Sequence, residues 1–354
     1  MAYTTINKST DYFNTKLYTG NGSTQSITGV GFQPDMLWIK SRSGTQWHHL
    51  GDAVRGADKR LQPNDTGAES TLSTGITSFD SDGFSLGASG DVNGNGNTTV
   101  GWNWKAGGAG SANTDGSINS TVSVNTSSGF SIVKYTGNGA SNDTATIGHG
   151  LGVAPNMIMV KCLNATGGWQ TSSTSLGWNN VLQLNETNAQ ASGTYAFGQS
   201  GVTPTSTVFT VSATSGGNHT NTNNNTYIAY CFAEKTGYSK FGSYTGNGEY
   251  DGSFIYTGFK PAFVIYKGAV GSATVDNWEV ADNKRSPFNG IENVLYPNLS
   301  NAEGTGVTTR MDMLSNGFKM RTNGTDYNGN GTTYIYMAFG QSLVGTNGVT
   351  AKAR

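Results

Sequence analysis

The chain has 354 residues, a formal net charge of −1 and 12% charged residues, about half the share of an average soluble protein. Its 11% aromatic content argues against charge-driven disorder, and no apolar run approaches the roughly 18 residues of a membrane span, so we expect a folded chain without membrane insertion. The near-neutral balance argues against nucleic-acid binding. Two cysteines are too few for a disulfide framework, and residues 1–8 lack a secretory pattern, which predicts synthesis in a reducing cytoplasm.

One pentapeptide, Tyr-Thr-Gly-Asn-Gly, occurs three times, at residues 18–22, 135–139 and 244–248. Its Gly-Asn-Gly element supplies the positive φ that tight hairpin turns require. A proline follows each copy and opens an apolar run that ends in lysine with identical spacing. These runs are residues 34–40, 155–161 and 261–267. A proline suits the first position of a strand, so each run predicts a β-strand.

Each copy ends in a strand-like stretch with alternating apolar residues, at 98–104, 226–232 and 333–339. In the first of these stretches, Val100, Trp102 and Trp104 share one face, which we expect to be the core side. Short β-branched and aromatic runs between Gly, Asn and Ser clusters predict an all-β chain of antiparallel sandwiches. The sequence therefore predicts three tandem, jelly-roll-like β-sandwich repeat domains. Their predicted bounds are 1–108, 109–236 and 237–354.

The first copy combines four segments in an order that resembles a repeat of uncharacterised virion proteins from marine bacteriophages. These segments are residues 31–40, 47–56, 79–84 and 101–105, and residues 227–248 are similar to the junction between copies in that family. The resemblance covers nearly the whole chain. It implies a β-sandwich structural or host-contact protein of the phage particle, in the tail, a fibre or the capsid decoration, and it brings no catalytic residues.

A typical tail fibre begins with a separate docking domain, whereas here the first copy starts within a few residues of Met1. This favours a compact decoration, knob or tail-tip subunit located in the virion. Exposed edge strands predict packing against other virion proteins and a homo-oligomer. A host-surface glycan or receptor is the further partner that we expect.

Two polar loops match the first half of a calcium-binding loop, in which alternating oxygens converge on the ion. The two sets are Asp91, Asn93 and Asn95, and Asp326, Asn328 and Asn330. The position that needs a bidentate Glu falls on Trp102 and Met337, and the second copy has His219 in place of the aspartate. An ordinary turn is the favoured interpretation, calcium is the alternative, and we expect no other cofactor.

Trp47, Trp169 and Trp278 follow the lysine of the apolar run by 7, 8 and 11 residues. Exposed aromatic rings on a sandwich can stack on sugars, with placed polar groups binding the hydroxyls. Core packing is the favoured interpretation, because a large aromatic residue repeated at the same place in every copy more often lies in a core. Glycan or receptor contact at these three residues is the alternative.

Evidence for catalysis is weak. His48 and His49 are adjacent, so on a strand they point to opposite faces and cannot share an ion, which favours a structural role beside an Asp52–Arg55 pair. Acidic residues rarely recur between copies, since Glu69 becomes glutamine in the second copy. We therefore expect no enzyme activity. A polysaccharide depolymerase with paired carboxylates, or a calcium-dependent lectin, is the alternative function.

Overall fold

The computed structural model describes residues 4–141, 143–193, 195–198, 202–213, 217–271, 276–305 and 309–342. The regular secondary structure of this part of the chain is almost entirely antiparallel β-strand, arranged in several sheets, which confirms the all-β prediction. Two four-residue α-helices and one 3-10 turn, Ser9–Asp11, accompany the strands. None of the helices in these ranges is long and apolar enough to cross a membrane.

The strands of the first segment form two sheets. They are β1 (Phe13–Thr19), β2 (Gln25–Thr28), β3 (Met36–Ser41), β4 (His49–Asp52), β5 (Gly56–Leu61), β6 (Ser70–Thr71), β7 (Ile76–Asp80), β8 (Gly83–Leu86) and, after helix α1 (Gly90–Asn93), β9 (Thr98–Trp104). The large sheet has the order β1-β9-β3-β4-β5-β6, and the small sheet has the order β2-β8-β7.

The second segment repeats this plan. Its strands are β10 (Ser111–Asn113), β11 (Ser120–Asn125), β12 (Phe130–Thr136), β13 (Ala145–Gly148), β14 (Met157–Cys162), β15 (Gln170–Ser173), β16 (Asn180–Gln183), β17 (Ala191–Ser192), β18 (Val208–Val211) and β19 (Thr226–Phe232). The large sheet runs β10-β11-β12-β19-β14-β15-β16-β17, and β13 pairs with β18.

The third segment has the same two layers. Its strands are β20 (Ser239–Thr245), β21 (Phe254–Tyr256), β22 (Pro261–Val270), β23 (Glu279–Asp282), β24 (Met311–Leu314), β25 (Gly317–Met320) and, after helix α2 (Thr325–Asn328), β26 (Thr333–Gly340). The sheets run β20-β26-β22-β23 and β21-β25-β24. Each of the six sheets thus draws its strands from one of the three predicted segments.

Each pair of sheets encloses its own outer core. In the first segment Leu37 and Ile39 of β3 pack against Ile76 and Phe84 of the small sheet. Separate clusters fill the same place in the second and third segments. We call each segment with its two sheets a unit.

The other face of each large sheet packs into one core that all three units share. Trp102 of the first unit, Tyr230 of the second and Phe339 of the third belong to this single buried cluster. The alternating residues of the closing strands point into it, as the sequence predicts. The sequence missed that the opposite face of the same strands is also buried, as Asn103 illustrates at 0% exposure.

Backbone hydrogen bonds between units close the arrangement into a ring. The Glu69 N–H donates to the carbonyl of Leu163 at 2.8 Å, linking the first unit to the second. The equivalent bonds are Gln190 N–H to Ala269 O at 3.0 Å, from second to third, and Glu303 N–H to Arg42 O at 2.8 Å, from third to first. Each acceptor lies two residues after the lysine of the apolar run, so the same contact is made three times in one rotational sense.

The repeated lysines Lys40, Lys161 and Lys267 are buried beside these contacts. Each ammonium donates to the carbonyl of the following residue, at 2.8 to 2.9 Å. Burial lowers the pKa of each lysine to about 8. They therefore fix one repeated strand end by hydrogen bonding to the backbone.

The repeated pentapeptide forms a turn that lies directly on a second loop. A Cβ atom at Gly20 would be 2.3 Å from the carbonyl oxygen of Gly94, so only glycine leaves room for this contact. Gly22 has a φ of 69°, which glycine adopts at little cost. The first glycines of the other copies, Gly137 and Gly246, face backbone oxygens just as closely, at 2.5 and 2.3 Å.

Candidate functional site

The structure separates the three candidate tryptophans. Trp169 is 0% exposed and Trp278 is 2% exposed, because both lie in the core shared by the units. Their indole N–H groups donate hydrogen bonds to carbonyls of the preceding unit. The acceptors are Gln62 O, 3.1 Å from Trp169 Nε1, and Gln183 O, 3.0 Å from Trp278 Nε1. A ring without an exposed face cannot stack on a sugar. The glycan alternative therefore fails for Trp169 and Trp278, and the favoured interpretation, core packing, describes them.

His48, and not Trp47, is the first unit's counterpart of these two tryptophans. Its backbone N–H donates to Asn64 Oδ1 at 3.0 Å, as the Trp169 N–H does to Asn185 at 2.8 Å. The spacing contained this signal, since counting eight residues from Lys40, as from Lys161 to Trp169, reaches His48.

The His48 side chain completes the set of interunit bonds. Trp38 donates its indole N–H to His48 Nδ1 at 2.8 Å, which leaves the proton of the neutral ring on Nε2. Nε2 lies 2.9 Å from the carbonyl of Tyr296 in the third unit. Burial lowers the pKa of His48 to about 3, so the ring acts as a neutral donor and acceptor.

Asn93 and Asn328, two of the candidate calcium ligands, instead hold the pentapeptide turns. The Asn93 carboxamide oxygen accepts the Asn21 backbone N–H at 3.0 Å, and the Asn328 oxygen accepts that of Asn247 at 3.1 Å. Both side chains are 0% exposed and face into the protein. Asn95 and Asn330 are exposed. The structure therefore gives Asn93 and Asn328 the turn-building role that the sequence favoured.

The two aspartates of those loops have different surroundings. Asp91 accepts a hydrogen bond from the Arg60 guanidinium at 2.8 Å. Burial and then the neighbouring Asp276 carboxyl raise the pKa of Asp326. Across the described ranges, no three His, Cys, Asp or Glu side chains form a group that could hold a metal ion.

Trp47 and Asp91 meet in one open cleft of about 500 Å³ on the first unit. Trp47 is 46% exposed because it precedes the inward-facing His48 and points the other way. Arg60 also lines the cleft and forms an ion pair with Asp91. The remaining lining residues are Thr45, Gln46 and Gln62. This volume falls in the usual range for small-ligand sites.

The cleft offers the groups that recognise a hydroxyl-rich ligand. The exposed indole face of Trp47 supplies an apolar platform, and the Arg60–Asp91 pair supplies charged donors and acceptors. Gln46 Oε1 is buried and has no hydrogen-bond partner in the described structure. This oxygen lies over Gly44, where a Cβ atom would be 2.1 Å from it. Sequence reasoning missed Gln46 and Arg60, because neither belongs to a repeated motif.

The cleft has this chemistry in one unit only. The second unit has Gly167 and Gly168 at the positions of Gln46 and Trp47, one and two residues before Trp169. The third unit has Asp276 and Asn277 there. The ring therefore carries three related surfaces, of which one combines an exposed tryptophan with an arginine.

We expect the buried histidines to make stability fall in acid. Burial lowers the pKa of both His48 and His49 to about 3, against 6.5 when unfolded, so between pH 6.5 and 3 only the unfolded chain takes up these protons. The free energy of unfolding should therefore decrease as pH falls through this window, by about 1.4 kcal/mol per pH unit for each histidine.

The variant His49→Gln isolates one of these contributions, because the second unit has Gln170 at the equivalent position. Urea unfolding of both proteins between pH 7 and 4 measures the effect. The variant should lose less stability on acidification than the parent. Parallel pH profiles would show that His49 takes up its proton in the folded state.

The fold and the cleft define an all-β protein built from three similar two-sheet units in a closed ring, with one copy-specific polar cleft. The chain belongs to the family described as Domain of unknown function (DUF7483), whose model matches residues 8–342. No curated protein and no solved structure matches the chain.

Proposed function

We propose that this protein is a non-enzymatic structural subunit of a bacteriophage particle that contacts a host-surface glycan through the Trp47 cleft. It would occupy the virion as a tail, fibre or capsid-decoration component beside other virion proteins and further copies of itself. The resemblance of its repeats to marine phage virion proteins suggests the setting. The closed ring with a shared core is the observation that carries the proposal.

The ring supports a structural role because it fixes three units relative to one another without flexible joints. Two kinds of interunit bond recur at equivalent positions, so no unit can rotate without breaking bonds on two sides. A rigid scaffold of this kind suits a protein that must keep its shape outside the cell. Because charged residues are sparse, surface contacts fall to Asn, Ser and Thr side chains and to the backbone at glycines, which suit neutral partners such as glycans.

The repeated positions favour a scaffold over an enzyme. At one buried position the units carry His49, Gln170 and Glu279, so the residue type changes while the strand geometry is kept. A chemistry duplicated with the fold would keep its residues. The Trp47 cleft also has just one carboxylate, Asp91, among its lining residues, whereas glycoside cleavage uses a pair.

Binding to host cells tests the glycan contact. We expect Trp47→Ala and Arg60→Ala each to weaken binding of the purified protein to host cells or their envelope polysaccharide at least about tenfold, the equivalent of about 1.4 kcal/mol. Phe288→Ala, which removes an exposed aromatic residue outside the cleft, is the matched control and should bind like the parent.

Unchanged binding by a folded Trp47→Ala protein would contradict the glycan contact. Release of reducing sugar from the polysaccharide would favour the depolymerase, and loss of binding on chelation would favour the calcium-dependent lectin. Gold-labelled antibody on electron micrographs of the particle tests the location separately. The proposal predicts label on the virion, and particles that lack the protein would overturn the structural role.

A further inference from the structure

Strand β21, at the edge of the third unit's small sheet, presents an unusual aromatic surface. Phe254 is 47% exposed and Tyr256 is 61% exposed, and both project from the outer face on either side of the buried Ile255. The equivalent residues of the first unit, Ser26 and Thr28, are small and polar. Exposed aromatic residues placed side by side mark interaction surfaces.

Within the described ranges, the outward-facing backbone groups of this edge strand also have no hydrogen-bond partner. The hydrogen bonds from the Met320 N–H to the Ser253 carbonyl and from the Thr257 N–H to the Asn316 carbonyl flank the β21–β25 ladder. Because antiparallel ladders bond alternate residues, Ser253, Ile255 and Thr257 face β25, while Phe254 and Tyr256 direct their N–H and C=O groups away from it. In the described structure β21 has no second strand neighbour.

In the second unit, a segment of the same unit covers the equivalent edge. Thr146, the counterpart of Phe254, has its N–H bound to Ser117 Oγ at 2.9 Å and its carbonyl bound to the Ile118 N–H at 3.1 Å. A short segment of the same unit thus satisfies the edge strand. The third unit's edge keeps the same geometry with aromatic side chains in place of that cover.

We propose that β21 pairs antiparallel with β21 of a second copy about a twofold axis at Ile255. In that register Phe254 of one copy lies opposite Tyr256 of the other, twice, and aromatic cross-strand pairs of this kind stabilise sheets. The two outward-facing residues of each strand exchange backbone hydrogen bonds. The result is a dimer that joins two three-stranded sheets into one of six strands.

The charges around the strand favour a second copy as the occupant. Lys319 and Arg321 lie near Asp251, with Nζ and Nη1 at 2.6 and 3.8 Å from Oδ1, and the Asp251 side chain is 82% exposed. Arg321 Nε also lies 3.4 Å from Asp312 Oδ2, so two positive and two negative side chains balance beside the strand. A second copy therefore meets no net repulsion here, whereas a strongly charged partner of one sign would find no excess of opposite charge to pair with.

This inference names the interface for the self-association included in the proposed function, but its test needs no particle or glycan. Analytical ultracentrifugation of the full chain over a concentration series should show the 37.1 kDa monomer in equilibrium with a dimer. The double variant Phe254→Ser/Tyr256→Thr installs the first unit's residues and should weaken dimerisation at least tenfold. Phe288→Ser, at a 77% exposed aromatic residue, should leave it unchanged.

Cysteine cross-linking tests the register. Opposed residues in hydrogen-bonded pairs have Cα atoms about 5.5 Å apart, within disulfide reach, whereas two copies of Phe254 would be farther apart than about 7 Å. A mixture of Phe254→Cys and Tyr256→Cys proteins should therefore form a disulfide-linked dimer under mild oxidation, and neither protein alone should. Cys162 and Cys231 are buried and do not compete.

A parent protein that stays monomeric throughout the series overturns the proposal. So does a dimer that the Phe254→Ser/Tyr256→Thr variant does not weaken, or cross-linking that is equally efficient in the single variants. Failure of host binding or of virion labelling leaves these measurements unaffected, so the two proposals fail independently.

Discussion

Trp169→Ala is expected to lower the free energy of unfolding by about 3–5 kcal/mol, the usual cost of removing a buried tryptophan. The side chain is fully buried between the first two units and stacks on Tyr230, with ring centroids 6.3 Å apart. Its removal leaves a cavity in the shared core and breaks the hydrogen bond that joins the second unit to the Gln62 carbonyl, which keeps only the Asp65 N–H as a donor. Urea or thermal unfolding measures the loss.

Trp47→Ala is the matched control for this prediction. Trp47 is 46% exposed and lies outside the shared core, so its removal should change stability by no more than about 0.5 kcal/mol. The sequence alone does not distinguish these two tryptophans, since both are candidates for glycan contact on similar spacing. Similar stability losses in both variants would contradict the assignment of Trp169 to the interface between units and of Trp47 to the surface.

Arg55→Leu is expected to lower the free energy of unfolding by about 3–5 kcal/mol, because it removes one partner of a buried ion pair and leaves the other in place. The side chains of Arg55 and Asp52 are both fully buried, with Nε and Oδ2 2.5 Å apart. Asp52 also accepts the Tyr230 hydroxyl of the second unit at 2.7 Å. Without the guanidinium, an uncompensated carboxylate remains inside the ring.

The second unit has uncharged residues at the positions that correspond to this ion pair. It has Ser173, Leu176 and Gln190 where the first unit has an aspartate, an arginine and a glutamate. The triple variant Asp52→Ser/Arg55→Leu/Glu69→Gln copies this set and should be more stable than Arg55→Leu alone, because no buried charge is left unpaired. A triple variant that is less stable than the single one would show that the charges themselves hold the ring.

The strands and their order along the chain could be predicted from the sequence, because alternation and turn residues are local signals. The repeats also identified the equivalent strands. The substitution of Glu69 by glutamine in the second copy was visible, and the structure explains it. Glu69 Oε2 binds Arg55 at 3.1 Å, and the second unit has Leu176 in place of that arginine. The first and third units, which have the arginine, also have the glutamate that pairs with it.

The closed ring could not be predicted, because its bonds join residues far apart in the sequence. His48 and Tyr296, for example, are separated by 248 positions. Neighbouring residues of an extended chain point to opposite faces, so an alignment error of one position exchanges Trp47 and His48 as the inward-facing residue. Arg60 and Asp91 form their pair through the fold and share no motif.

The two polar loops match half of a calcium-binding pattern because asparagine and glycine also build turns, which is the interpretation that the sequence favoured. In both loops the middle asparagine, Asn93 or Asn328, turns inward to bind backbone groups of the repeated pentapeptide. Sequence spacing alone does not distinguish an oxygen that faces an ion from one that faces an N–H group. The pentapeptide and the polar loop are thus two halves of one structural contact.

Differential scanning calorimetry tests most directly the claim that the three units form one body. Because they share a core and are bonded in a ring, the chain should unfold in a single transition with equal calorimetric and van't Hoff enthalpies. Trp169→Ala should shift that whole transition to lower temperature. Two or three separate transitions, with only part of the heat absorption moved by the variant, would show independent domains and contradict the closed ring.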